Sequence, residues 1–263
     1  MRRQRLSRIP RSSWPVLVLL VTLLVPLFLA PASGAEGSLS GIKICLDPGH
    51  GGTDPGAVND LDNLDDLDDL YESEINLDVS YALGALLLAD GAEVAMTRYD
   101  DDTYLTNRDR YTFCNNWGAT LLISVHTNSV DNDTWDGSTT LWSKRADKAL
   151  AQAIHEVLYP ELKATAPMEN KEEFADFGLT KFQSGVLLKS DMPAAMMEPV
   201  FMSYPAEADL LDVSVLDDAG AVSEGCPNYS CRRGQIVQAI YHGILHYYES
   251  SPEPTTPPGP HGK

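Results

Sequence analysis

Short, continuous apolar runs alternate along this chain with longer stretches whose apolar residues recur every three or four positions. Ile42 to Leu46, broken only by Lys43, reads as a short buried strand. It stops at a Pro-Gly-His-Gly-Gly turn, residues 48–52. Thr120 to Val125 reads as a second buried parallel strand, and it ends at His126. Between them, Ile75, Val79, Leu83, Leu86 and Leu87 follow the helical period from Tyr71 onward, and Gly91 stops the helix. Further strands are predicted at Ala92–Thr97, Gly137–Trp142, Gly185–Leu188 and Ala194–Pro199. Further helices are predicted at Thr106–Trp117, Ala146–Lys163 and Arg232–Glu249. Ala164–Leu179 is polar and irregular, and no internal repeat is visible.

The two ends differ in character from this body. Residues 1–35 hold five arginines, then an apolar run from Trp14 to Ala30, then Ser33-Gly34-Ala35. That order is a secretory signal peptide with a small-residue cleavage site, preferred over an uncleaved membrane anchor. Residues 36–41 are a linker, 42–249 the expected domain, and 250–263 a Pro-rich tail of disordered composition. Asp60–Leu70 is a low-complexity acidic insertion, read as a solvated loop rather than a calcium site, since it lacks the spaced glycine and closing glutamate of an EF-hand.

The net charge is −19, and removal of the arginine-rich leader deepens it by five. No basic patch is present, so nucleic acid is excluded as a partner. Export bears on the four cysteines. Cys226 and Cys231 bracket a turn-rich tetrapeptide and are expected to form a disulfide. Cys45, in the first strand, and Cys114, in a helix, are expected to be buried free thiols, with a second disulfide left open.

Open α/β sheets carry their chemistry at the carboxyl ends of strands, which is where His50 and His126 fall. Glu72 opens the intervening helix. Two imidazoles and one carboxylate are the donor set of a catalytic zinc site with its fourth position open. Glu198 ends the apolar run Ala194–Met197, where an unpartnered charge is costly, and is the candidate proton carrier. The other histidines lack such settings. His242 and His246 share a helix face but have no adjacent glutamate, and His155 and His261 have no partners nearby in sequence. Arg98 and Arg110 read as structural ion-pairing residues.

These features run in an order that resembles the type-3 family of N-acetylmuramoyl-L-alanine amidases, zinc-dependent cell-wall hydrolases. The matching residues are Leu46–Gly52, Glu72 with Asn76-Leu77, Thr97-Arg98, Arg110, Asn115, Ser124–Asn128 and Met192–Ser203. The resemblance implies a single α/β domain with a twisted, mostly parallel sheet flanked by helices. It implies zinc held by His50, Glu72 and His126, with Glu198 as the catalytic carboxylate and Asn128 as a substrate-binding residue. Glu72 is chosen over Glu74 because the family's ligand precedes the Asn-Leu pair by four residues. The implied partner is peptidoglycan, with no stable membrane anchor after cleavage and an activator protein, if any, unidentified.

One departure stands beside the glutamate: Pro199-Val200 replaces the small pair usual in the family. It leaves open a catalytically impaired or regulatory wall-binding protein, and the scaffold also admits another zinc peptidase. The segment Met168–Phe174 reads as a surface loop, with a cover over the metal as its alternative.

Overall fold

The computed structural model describes residues 37–59, 69–167, 172–217 and 219–250. The leader, most of the acidic insertion, most of Met168–Phe174 and the Pro-rich tail lie outside the described residues. The described elements are β1 (Lys43–Pro48), β2 (Val58–Asn59), β3 (Leu70–Tyr71), α1 (Glu72–Ala89), β4 (Glu93–Met96), α2 (Asn107–Trp117) and β5 (Leu121–Val125). They continue with β6 (Gly137–Trp142), α3 (Lys148–Ala164), β7 (Ala175–Lys181), α4 (Gly185–Lys189), β8 (Ala194–Glu198), α5 (Pro205–Leu211) and α6 (Arg232–Ser250).

Six strands form one mixed, mostly parallel sheet in the order β4-β1-β5-β8-β6-β7. Only the β6–β8 junction is antiparallel, so β6 and β7 run against the other four. Register then decides where chemistry can gather. Pro48 lies beside Val125, and Val125 beside Met197. The carboxyl ends of β1, β5 and β8 therefore finish at one edge, and β6 and β7 start there. A two-stranded ribbon of β2 and β3 leads into α1.

Side chains alternate across the sheet as a period of two requires. Ile44, Leu46, Leu121, Ile123, Ala195 and Met197 enter the core shared with α1, α3 and α6. Cys45, Leu122, Ala194 and Met196 enter a smaller core that includes Cys114 of α2 and Val186 of α4. Because β1 buries both faces, its sequence is a run rather than an alternation. Helices α3 and α6 approach closely at Gly243, where a Cβ would lie 2.7 Å from the Cα of Ile154.

Four points correct or extend the sequence reading. Cys45 and Cys114 are joined in a disulfide, not free, because odd-numbered Cys45 points to the α2 side and meets the inward face of that helix at a Cα separation of 5.7 Å. Gly185–Leu188 lies in helix α4 rather than a strand, started by Ser184, whose side chain accepts from the Val186 amide. Strand β7 lies largely within the stretch read as irregular, and α5, with Pro205 in its first turn, was not anticipated. Cys226 and Cys231 also form a disulfide. Among the described residues no helix is long and apolar enough to cross a membrane.

Candidate functional site

His50 follows β1, His126 follows β5, and Glu72 is the first residue of α1. Their ligand-type atoms all lie within 4.8 Å of one another. The Glu72 carboxylate is the hub: His126 Nδ1 lies 3.0 Å from Oε1 and His50 Nε2 lies 3.2 Å from Oε2. Backbone amides of Thr127 and Ala57 and the Asn76 side chain also donate to it, at 3.2, 3.0 and 3.2 Å. Burial alone would raise the Glu72 pKa, but its hydrogen bonds to His126 and His50 outweigh burial and hold the carboxyl far below the usual range. His50 Nδ1 faces Asp54 Oδ2 at 3.0 Å without hydrogen-bond alignment. Burial opposes a charge on His50, yet Glu72 and Asp54 raise its pKa. The exposed Glu74 takes no part.

Two glycines are required by the closeness of these groups. A Cβ on Gly49 would fall 2.3 Å from the His126 ring. One on Gly56, whose φ is +71°, would fall 2.6 Å from Glu72 Oε2 and 2.7 Å from the His50 ring.

His50 itself has a φ of 60°, an unfavourable region for a residue with a Cβ. Two buried arginines hold the turn. Arg98 donates to the carbonyls of Pro48 (3.2 Å), Gly49 (2.9 Å) and Ser73 (2.7 Å). Arg110 donates to the carbonyls of Pro48 (2.6 Å) and His50 (2.7 Å) and pairs with buried Asp47 at 2.9 Å. Asp47 also accepts from Thr97 (2.7 Å) and Ser124 (2.8 Å). Burial pushes its pKa up, and Arg110 with the hydroxyl donors brings it net below the ordinary value. The ion pairs expected for the arginines are Arg110 with Asp47 and Arg98 with Asp101 at 3.1 Å, and both guanidinium groups also brace the backbone that carries His50.

Glu198 ends β8, next to the strand that carries His126. It lines a cleft of about 500 Å³ together with His50, His126, Tyr104, Phe182 and Met196. Protein surrounds most of its carboxyl, and that burial, reinforced by the Glu72 charge and opposed by the two histidines, pushes its pKa up to about 7. A carboxyl poised there can both accept and return a proton at neutral pH. Pro199 does not displace it: Glu198 still pairs with Thr139, and the Pro199 carbonyl accepts from Ser138 at 2.6 Å.

The remaining candidates lie elsewhere or serve the frame. Asn128 spends its backbone on the continuation of β8, at Val200 and Met202, and its side-chain oxygen accepts from the Ser129 amide at 2.9 Å. His242 is exposed and His246 half-buried, near Glu161 and Glu156 respectively. His155 joins Thr140 and Asp176 at 3.2 and 2.7 Å. Phe174, the described end of Met168–Phe174, is fully buried against Tyr159 and Arg232. Asp54 and Asp47 were missed by sequence reasoning. For Asp54 the only signal is its placement four residues after His50; Asp47 is an acid inside an apolar strand, which itself implies a buried partner.

Comparison with known proteins identifies the family. Residues 44–224 match the family model described as N-acetylmuramoyl-L-alanine amidase. A Staphylococcus saprophyticus protein named "Probable cell wall amidase LytH" is 34% identical over 205 residues, covering 78% of this chain and 58% of that protein. The chain thus spans less than two thirds of that relative's length. The germination-specific N-acetylmuramoyl-L-alanine amidase of Bacillus subtilis is 29% identical, over 82% of this chain and 84% of its own. Among solved structures, the catalytic domain of the amidase CwlV from Bacillus (Paenibacillus) polymyxa var. colistinus superposes with a TM-score of 0.62 at 25% identity, covering 80% of this chain and 99% of that one. With two strand-end histidines, the helix-start glutamate and Glu198 inside the matched span, this chain belongs to the N-acetylmuramoyl-L-alanine amidase family.

Proposed function

We propose that the chain is an exported, zinc-dependent amidase that hydrolyses the bond between the lactyl carbonyl of N-acetylmuramic acid and the L-alanine nitrogen of peptidoglycan stem peptides. The observation that carries this reading is the convergence of His50, Glu72 and His126 beside a cleft that also exposes Glu198. The donor set fits zinc: two imidazoles and one carboxylate leave a position for a reactant, and Gly49 and Gly56 give the rings room to close on an ion. His50, Glu72 and His126 would hold it. Zinc bound there supplies Lewis acidity, lowering the pKa of water toward about 7 and polarising a carbonyl.

The other work falls to this chain's own residues. Glu198 takes the proton of the attacking water on a carboxylate oxygen and returns it to the departing alanine nitrogen. Asp54 lies 3.0 Å from the His50 ring and favours its charged form, Asn76 and two backbone amides orient Glu72, and Arg98 and Arg110 keep the His50 turn in place. Two disulfides accord with an oxidising compartment outside the cytoplasm. The intact pairing of Glu198 despite Pro199 favours turnover over a binding-only role.

The test is digestion of purified peptidoglycan with and without a chelator, followed by product mass analysis. Free stem peptides with an L-alanine amino terminus, lost on chelation and restored by zinc, are expected. Cleavage within the stem peptide would make the protein a zinc peptidase instead, and intact glycopeptides a binding protein.

A further inference from the structure

The sheet edge that gathers the candidate ligands also carries three aromatic rings that the reaction does not use. Trp135, in the loop between β5 and β6, stacks on Phe177 of β7 with centroids 6.0 Å apart and planes at 27°. Phe177 in turn meets Phe201 at 5.4 Å. Phe201 is 3% exposed and forms the buried foundation, whereas Trp135 is 50% and Phe177 39% exposed. Single exposed apolar side chains are ordinary, as at Phe113, but these two rings stack on one another over a buried third. Exposed stacked rings on a buried base mark a binding surface.

Their position ties the rings to the cleft. Phe201 follows Glu198 by three residues, so their Cα atoms are at most about 10 Å apart. Phe201 is also bridged to Asn128, two residues beyond His126. Phe177 stands near the start of β7, at the edge where β1, β5 and β8 end. Asp133, two residues before Trp135, lines a hollow of about 510 Å³ whose polar walls are Asn59, Ser129, Asp131 and Ser203 and whose apolar ones are Ala57, Val58 and Val130. A flat apolar face next to amide, hydroxyl and carboxylate groups suits one kind of ligand: a neutral pyranose ring, apolar on its C–H face and rich in hydroxyls at its rim.

The geometry points to Trp135 and Phe177, supported by Phe201, as a stacking platform for an N-acetylated sugar of the glycan strand. It rests on the peptidoglycan reading, in which the sugar is joined through one lactyl ether to the carbonyl under attack. The platform sets the position of the glycan strand relative to the carbonyl under attack. Asn128 acts as a positioning residue, its backbone fixing Phe201.

The test titrates the full-length, metal-free chain with chitotetraose, an N-acetylglucosamine tetramer that contains no lactyl amide, and follows the heat of binding by calorimetry. A saturable change is expected that Trp135→Ala abolishes and that Phe177→Leu weakens about tenfold, the limit of one stacked pair. Phe177→Leu keeps apolar volume and guards against misfolding, which circular dichroism checks in both variants. With glycan-linked substrate, both variants are expected to raise KM by about tenfold and change kcat less than about twofold. No saturable change, or equal binding by Trp135→Ala, overturns the platform. Trp135-dependent binding by a protein that cleaves no amide would leave the platform standing and remove the amidase reading instead.

Discussion

Arg110 donates to the carbonyl oxygen of His50 at 2.7 Å, and the same guanidinium pairs with Asp47 at 2.9 Å. A side chain on α2 thereby holds the backbone of a residue whose φ of 60° its own sequence disfavours. Only a planar fork can serve Asp47, Pro48 and His50 together. Arg110→Lys is therefore expected to weaken zinc binding by about 10- to 100-fold, the usual effect of losing an orienting partner. Competition with a chromogenic chelator measures it. Unchanged affinity would show that the turn holds His50 without the fork.

Asp47 gives a pH prediction with a definite sign. Its folded pKa is depressed by Arg110 and hydroxyl donors, despite burial. The stability it contributes is present above the unfolded value and is lost as pH falls through the folded one. Wild type should lose stability relative to Asp47→Asn as pH drops below about 4. At neutral pH Asp47→Asn should be the less stable by about 3 kcal/mol, since it leaves Arg110 buried without its counter-ion. Denaturant midpoints from pH 7 down to pH 3 read both effects, and parallel curves for the two proteins would refute the assignment.

Much of this site could be read from the sequence because strands buried on both faces appear as unbroken apolar runs, and a run that ends on histidine locates that histidine at a sheet edge. His50, His126 and Glu198 were placed in that way. The partners that hold them were not, since Asp47–Arg110 and Cys45–Cys114 join positions far apart in the chain. Val186-Leu187-Leu188 was misread as a strand because a short apolar run carries no period, and only the cap at Ser184 decides for helix. Strand β7 was hidden for another reason: it is an edge strand with polar, exposed positions and a left-handed Gly178, φ 64°, at an irregularity in its register.

The Cys45–Cys114 disulfide closes a loop of 69 residues between β1 and α2, the two elements that share the Asp47–Arg110 pair. Replacing both cysteines with alanine should cost about 2–4 kcal/mol. The Cys226–Cys231 bond spans only five residues and should contribute less. Urea unfolding of the two double variants compares them, and an equal loss would contradict the loop-length argument.

Gly56→Ala and Gly118→Ala separate backbone cost from site geometry. Both glycines are left-handed, with φ of 71° and 72°. A Cβ at Gly118 meets open space, whereas one at Gly56 strikes Glu72 and His50. Gly118→Ala should lose about 1 kcal/mol of stability, and Gly56→Ala more than that because its Cβ also meets side chains. Only Gly56→Ala should also lose zinc affinity, by about tenfold or more. Calorimetric zinc titration distinguishes them, and normal affinity in Gly56→Ala would mean that the rings do not close there.

The division of labour between ligand and proton carrier is tested most directly by measuring zinc content and muramoyl-amide turnover together in Glu198→Gln and His126→Ala. Glu198→Gln should keep stoichiometric zinc and lose about 10²–10⁴-fold in kcat, as expected for removal of a general acid–base group. His126→Ala should lose both metal and turnover. A Glu198→Gln protein that binds zinc and cleaves at the wild-type rate would contradict the account.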